Sequence, residues 1–389
     1  MANEIVWYDD TETGAPVLNN AAGALIALLD ALLVTGFNSQ TLTSVSVTGG
    51  VATVTKAGHG YTTARMLDIA GAGTALVNGR KLVTVTSSST FTFPAAGVAD
   101  GTISGTITAK RSPLGWARTH SGGATVGMYS RTDSAATAMS LRVDDSSGVQ
   151  SYPCARVVMV ESFSDVNTYS NPTPTAAQIS GGQYWMKGAN SSAAKPWLLV
   201  GDGRTFWLFL DSQNYPASNY SGVPVGPYSF GDLKSYKAAD AYACMLVGNL
   251  SSSGESMVFG QSAASPGSAP TALASMVARS ANAIGAGIPA LNIATHRFGG
   301  SSSGAYPSPV DNGLVVSMPV LVYDATASIG AIRGEARGIA DPLANIPMGL
   351  LHKQVLSNLT GSSRDFLAVS FQMTGSQGHM LFDITGPWA

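Results

Sequence analysis

The feature that most restricts this chain is the run Lys195 to Leu210, K-P-W-L-L-V-G-D-G-R-T-F-W-L-F-L, its densest apolar stretch. Two apolar segments, Trp197 to Val200 and Phe206 to Leu210, flank Gly201-Asp202-Gly203-Arg204. The glycines predict a tight reversal through positive φ angles, and therefore a β-hairpin. The second segment shows no polar alternation, so both faces of that strand must be covered, as in the middle of a sandwich or barrel. Its aromatic rings, each able to bury roughly 150–250 Å², make the hairpin the largest local source of burial energy. An aromatic platform for sugars or bases would alternate rings with polar groups, so this stretch reads as core.

Residues 1–40 form an N-terminal segment expected to pack on the main body. Asn19 or Asn20 can cap a helix of about 14 residues, Leu25, Ile26, Leu28, Leu29, Leu32 and Leu33 follow at helical spacing, and Gly36 stops it. The apolar arc is wide, so the helix must be covered on most sides. Its own sheet and a second copy of the chain are equal candidates for the cover.

From residue 41 to 110 the texture changes to short β-like runs: Leu42 to Val47, Val51 to Thr55, Met66 to Ile69, Leu82 to Thr86, Thr90 to Phe93 and Thr102 to Thr108. Gly49-Gly50 and Asn78-Gly79 are hairpin signals between them. Val34 to Phe37 before the segment and Gly115-Trp116 after it could be joined directly. The segment is therefore expected to be a small all-β domain inserted into a surface loop, where close termini cost little.

Residues 111–389 make the large β-rich body. Leu141 to Asp144, Ala155 to Val160, Ala241 to Val247, Leu314 to Tyr323 and Phe366 to Met373 are expected strands, the run at 241 having short helix as its alternative, and Met380 to Ile384 closes the chain. Tyr215 to Tyr228, Ser262 to Pro270 and Gly299 to Pro309 are expected loops, and Thr271 to Ala283 is a weak helix candidate. The fold class that follows is mainly β: a sandwich- or barrel-like body, a short N-terminal helix and a small all-β inserted domain.

Few charges cover this surface. Lys, Arg, Asp and Glu make up 11% of the chain, with a formal net charge of −2, against about 25% in ordinary soluble proteins. Weakly charged surfaces tend to associate, so much of this one is expected to be shielded by neighbouring subunits. A secreted hydrolase or lectin is the competing explanation. The 21 cations and 23 anions are scattered without runs, which argues against nucleic acid as a partner. No stretch of about 20 apolar residues is available to span a bilayer. The first residues are acidic where a signal peptide would be basic, so export by such a signal is not expected. Cys154 and Cys244 are expected to be small buried hydrophobes.

Motifs for chemistry are sparse. Gly300-Ser301-Ser302-Ser303-Gly304 formally matches a nucleophile elbow, but Ala305-Tyr306-Pro307-Ser308-Pro309 cannot begin the helix that motif needs. His296, nearby, is expected to be a surface hydrogen-bonding group. Asp144-Asp145 are adjacent on a strand end and so point to opposite faces, unlike the facing acids of a glycosidase; they suit a turn start, with a calcium site or a single catalytic acid as the alternatives. Glu161 and Asp165 are single acids. His59, in Gly58-His59-Gly60-Tyr61, is expected to make a structural bond from its ring. The histidines do not fall at zinc spacing, and no nucleotide-binding or calcium-loop motif is present. No catalytic, cofactor-binding or metal residues are therefore assigned, and no cofactor is expected.

Several segments resemble a family of tailed-bacteriophage virion structural proteins. They are Asp9 to Leu18, the helix Ala24 to Leu33 with Gly36-Phe37, Arg142-Val143-Asp144-Asp145, the Trp197 to Leu210 hairpin, Phe230-Gly231-Asp232, Ile332-Arg333-Gly334 and Phe382 to Trp388. Within residues 41–110, Gly50 to Val54, Gly58 to Tyr61, Leu76 to Gly79 and Ser89 to Phe93 are similar to a small β-domain that recurs in phage tail and baseplate proteins. The resemblance implies a non-enzymatic virion component of the tail tip or baseplate, assembled in the host cytoplasm. Its partners would be other copies of itself and other virion structural proteins. A receptor- or glycan-binding tail protein, with Tyr215, Tyr220 and Tyr306 on its loops and a host surface receptor as partner, is the second expectation. A polysaccharide or cell-wall hydrolase using Asp144, Glu161 or Asp165 is the third.

Overall fold

The computed structural model describes residues 5–147, 153–187, 191–210, 225–252, 273–293, 307–308, 312–314, 316–317, 319–324, 332–342, 346, 350–357, 359, 362–373 and 376–388. The described chain is mainly β, with sheets that curl into half-barrels and one short helix. All strand pairs are antiparallel.

The hairpin lies in the central sheet. Trp197–Gly201 pairs with Thr205–Leu210 in a register that sets Trp197 opposite Leu210 and Gly201 opposite Phe206, and every residue of both strands is buried. Alternation sends successive rings to opposite faces. On one face Phe206 meets Trp116 and Trp185 edge-on, at 5.3 and 6.0 Å between centroids. On the other, Trp207 and Phe209 lie 6.0 and 5.6 Å from Phe382. The covering layers are two further sheets. One is the meander Trp116–Gly122, Val126–Arg131, Ser140–Asp144, Cys154–Val160 and Gln183–Met186; the other is built around Phe366–Met373 and Ser376–Asp383. The indole N–H groups of Trp116, Trp185, Trp197 and Trp207 each reach a backbone carbonyl, at 2.9–3.2 Å. Such bonds make burial of so many tryptophans affordable.

The turn is not the one expected. Neither Gly201 nor Gly203 has a positive φ. The Asp202 carboxylate makes the reversal instead, accepting from the Arg204 and Thr205 amides, both at 2.8 Å. Gly201 is needed for proximity, because a Cβ there would stand 2.7 Å from the Thr205 carbonyl oxygen.

The central sheet has ten strands, ordered Val6–Asp9, Trp197–Gly201, Thr205–Leu210, Val225–Asp232, Cys244–Val247, Ser275–Val277, Ile288–Ile293, Leu321–Asp324, Ile332–Glu335, Lys234–Ser235. The last follows the fourth in sequence with only Leu233 between them. The far edge of the sheet must therefore curl back beside its middle, which produces the barrel-like half.

The N-terminal helix is Ala24–Leu29 continued by a wider-wound Asp30–Thr35, ended by Gly36 at φ 75°. Neither Asn19 nor Asn20 caps it. Gly23 takes the cap position, and the Asp145 carboxylate, far along the chain, accepts from the Leu25 amide at 2.9 Å. Leu25, Leu28, Leu29, Leu32 and Leu33 are fully buried within the chain's own core. The cover is intramolecular, and a second copy is not needed there.

Residues 37–111 form an eight-stranded sheet, ordered Phe37–Thr41, Thr108–Arg111, Arg65–Ala70, Gly79–Ser87, Thr90–Pro94, Val51–Thr55, Ser44–Thr48, Gly101–Thr102, with its own hydrophobic cluster. Gly49 and Gly50 turn at φ 56° and 77° as expected. Asn78-Gly79 does not make a two-residue hairpin. A helical turn at Ala75–Val77 intervenes, and the Asn78 side chain bonds both backbone groups of Ala72 at 2.9 Å. The run 102 to 108 is split by Gly105, where a Cβ would lie 2.2 Å from the Gly71 carbonyl oxygen. The incoming and outgoing chains do run side by side, with Phe37 opposite Arg111 and the Leu114 amide bonded to Leu32 at 2.9 Å.

Three expectations for the body are corrected. Thr271 to Ala283 contains the buried strand Ser275–Val277, since a short apolar run serves either state. Tyr215 to Tyr228 is not loop throughout: Val225–Asp232 is a strand, and a register shift opposite it at Leu208/Leu210 accommodates Gly226-Pro227. Leu314 to Tyr323 is broken by Pro319 into Val316–Ser317 and Leu321–Asp324, which join different sheets.

Candidate functional site

The acids singled out in the sequence are engaged one by one. Asp144 accepts from the Ser146 amide and hydroxyl at 3.1 and 2.5 Å and from Arg142 at 3.1 Å. Burial pushes its carboxyl up, but these partners outweigh it and hold it below the ordinary range. This is the expected turn start. Asp145 points the other way, fully buried against Lys187 at 2.5 Å, and burial raises its carboxyl despite that cation. Glu161 is gripped by Arg279 through two bonds of 2.5 and 2.6 Å, which hold its carboxyl low. Asp165 accepts from the Asn167 amide at 3.0 Å. Two acids facing one another across a cleft, the geometry glycoside hydrolysis needs, are not assembled from these residues.

His59 does what its glycine-rich turn suggested. Its Nδ1 accepts from the Tyr61 amide at 2.9 Å, leaving Nε2 to donate to the Ser87 carbonyl at 3.1 Å. Both cysteines are buried and free, and burial pushes the Cys244 thiol up to about 11, which disfavours the thiolate that nucleophilic chemistry needs. Among the described residues no three His, Cys, Asp or Glu side chains gather as a metal site. His296, Gly300 to Gly304, Tyr215, Tyr220 and Tyr306 lie outside the described residues.

What sequence reasoning missed is a buried layer of arginine–aspartate pairs at the end of the central sheet. Asp202 receives Arg337 Nη2 at 2.7 Å; Asp232 receives Arg204 Nε at 3.1 Å and lies 3.4 Å from Arg131; Asp240 receives Arg333 Nη2 at 2.9 Å. Apart from Arg204, each of these side chains is at most 1% exposed. Arg131 also lies over the Phe230 ring, 4.8 Å from its centroid. Burial pushes the Asp202 carboxyl up against the opposing pull of Arg337.

A signal for this layer exists. Asp202, Asp232, Arg333 and Arg337 each adjoin a glycine in a strand-rich context. Those glycines permit close approach: a Cβ at Gly231 would lie 2.4 Å from the Arg204 carbonyl oxygen, one at Gly334 2.2 Å from that of Lys234, and one at Gly338 2.0 Å from the Trp388 ring. Above the layer opens a cleft of about 450 Å³, lined in part by Arg204, Lys234, Ser235, Lys237, Asp240 and Arg337.

No protein-family model, curated protein or solved structure matches this chain.

Proposed function

We propose that this chain is a structural component of a tailed-phage virion, of the tail tip or baseplate, acting by multivalent association of its copies with one another and with other virion proteins. The observation that carries the reading is where the charges lie. Of 44 Lys, Arg, Asp and Glu residues in the chain, at least 14 are buried: Asp9, Glu12, Arg65, Arg111, Arg142, Asp145, Lys187, Asp202, Asp232, Asp324, Arg333, Arg337, Asp341 and Asp383. With these turned inward, the outer surface carries fewer charges than the chain holds, and such a weakly charged surface favours association. The sequence resemblance supports the same reading.

The N-terminal helix, covered by its own chain, is not the contact. Val51 and Leu82 on the eight-stranded sheet and Leu76 on the helical turn beside it are 45–57% exposed, and the incoming and outgoing chains of this unit lie together. We read residues 41–110 as an inserted domain that reaches a neighbour, with modest interfaces multiplied by symmetry. The test is light scattering and electron microscopy of the purified chain over a rising concentration series. Discrete symmetric oligomers, weakened by Leu76→Asp with Leu82→Asp, are the expected result. A monomer at every concentration that also fails to join other tail proteins would overturn the reading.

A further inference from the structure

We propose that the cleft above the arginine–aspartate layer binds a small organic anion, carboxylate- or phosphate-bearing and about the size of one or two sugar rings. The proposal is independent of the assembly reading. It begins with the unequal charge of the walls: Arg204, Lys234, Lys237 and Arg337 line the cleft against the single carboxylate of Asp240.

That carboxylate is already committed. Its Oδ1 accepts from Arg333 at 2.9 Å and from the Tyr242 amide at 3.1 Å, and its Oδ2 from the Ser235 hydroxyl at 3.0 Å. The other acids nearby are spent as well: Asp202 on Arg337, Asp232 on Arg131 and Arg204, Glu335 on Lys234 at 3.1 Å, and Asp133 partly on the Ala135 amide at 2.8 Å. Counting Arg131, Arg204, Arg333, Arg337, Lys234 and Lys237 against Asp133, Asp202, Asp232, Asp240 and Glu335, six cations face five anions. A net positive cleft in a chain of net charge −2 is suited to an anion.

The cations are placed in two tiers. Among the described residues Lys237 Nζ gives one bond, to the Ala281 carbonyl at 2.9 Å, and an ammonium has three to give. Lys234, 44% exposed at its side chain, can turn from Glu335 to a ligand. Beneath them Arg337 is buried with its Nη2 on Asp202 and the Trp388 carbonyl, while its Nε and Nη1 have no hydrogen-bond partner among the described residues. Those two atoms are shielded from solvent, so Arg337, in its pair with Asp202, closes the floor of the cleft and leaves ligand contact to the lysines. Thr137 and Ser235 add side-chain hydroxyls to the lining.

Titration calorimetry of the intact chain with glucuronate, glucose 6-phosphate and neutral glucose tests the proposal. At least one acidic probe should bind with a Kd below about 1 mM, weakening as salt rises, while glucose does not bind. Comparing the two acidic probes separates a carboxylate site from a phosphate site. Lys237→Met should weaken binding by about tenfold or more, the value of a charge-assisted bond. Lys234→Met, on the exposed rim, serves as the second variant should the first disturb the loop. Binding of neither acidic probe, equal binding of glucose, or acidic binding unchanged in both lysine variants would overturn the assignment.

Discussion

Removing Lys187 should release the N-terminal helix. Its ammonium lies 2.5 Å from Asp145 Oδ1 and donates to the Ala21 carbonyl at 2.7 Å, and both side chains of the pair are 0% exposed. Asp145 in turn accepts from the Leu25 amide at the first turn of the helix. Lys187→Met keeps most of the side-chain volume but strands the carboxylate, at a cost of about 3–5 kcal/mol for a broken buried pair. Asp145→Asn with Lys187→Met should recover most of that loss, since the amide oxygen can still accept from Leu25 and no charge remains buried. Burial already raises the Asp145 carboxyl. In the single variant it should rise further, so the acid binds its proton more tightly folded than unfolded. The stability it contributes is then full below its unfolded pKa near 3.8 and lost as pH rises through the folded value. The deficit of Lys187→Met should therefore shrink in acid. Hydrogen exchange at residues 23–33 reads this directly: if opening is local, 3 kcal/mol corresponds to roughly a hundredfold faster exchange. A single variant within about 1 kcal/mol of the parent, or a double variant as damaged as the single, would refute the reasoning.

Phe206→Ala should cost about 3–5 kcal/mol by urea unfolding, because its ring fills the space between Trp116 and Trp185; a loss below about 1 kcal/mol would show that the covering layer collapses freely. Gly338→Ala should destabilise strongly and expose Trp388 to fluorescence quenchers, since the added methyl would overlap that ring and φ is 72°. Burial lowers His352 and His379 from 6.5 to about 4. These imidazoles are neutral when folded, so their contribution is full above pH 6.5 and fades as pH falls toward 4, at no more than about 1.4 kcal/mol per pH unit each before solvent screening. His379→Asn should flatten that acid limb in pH-dependent unfolding, and an unchanged limb would remove His379 from its cause. Native Cys154 and Cys244 should resist thiol reagents until the chain unfolds, as both are buried with thiols raised by burial.

The sequence by itself determined the paired strands of the hairpin, the apolar face of the helix with its stop at Gly36, and the β character, because each is written in neighbours a few residues apart. Phe206 to Leu210 needs cover on both faces wherever it sits, and Val45, Val47, Ala52 and Val54 face inward by simple alternation. What only the tertiary structure decided are the contacts between distant residues. Asp202 meets Arg337 across 135 positions, Asp240 meets Arg333 across 93, and Asp145 caps a helix 120 positions away. No local period specifies such partners. They arise where sheet curvature carries strand ends together and burial forces each charge to find its opposite. The same burial drew the chain's few charges inward and built the cleft, neither of which composition alone could locate.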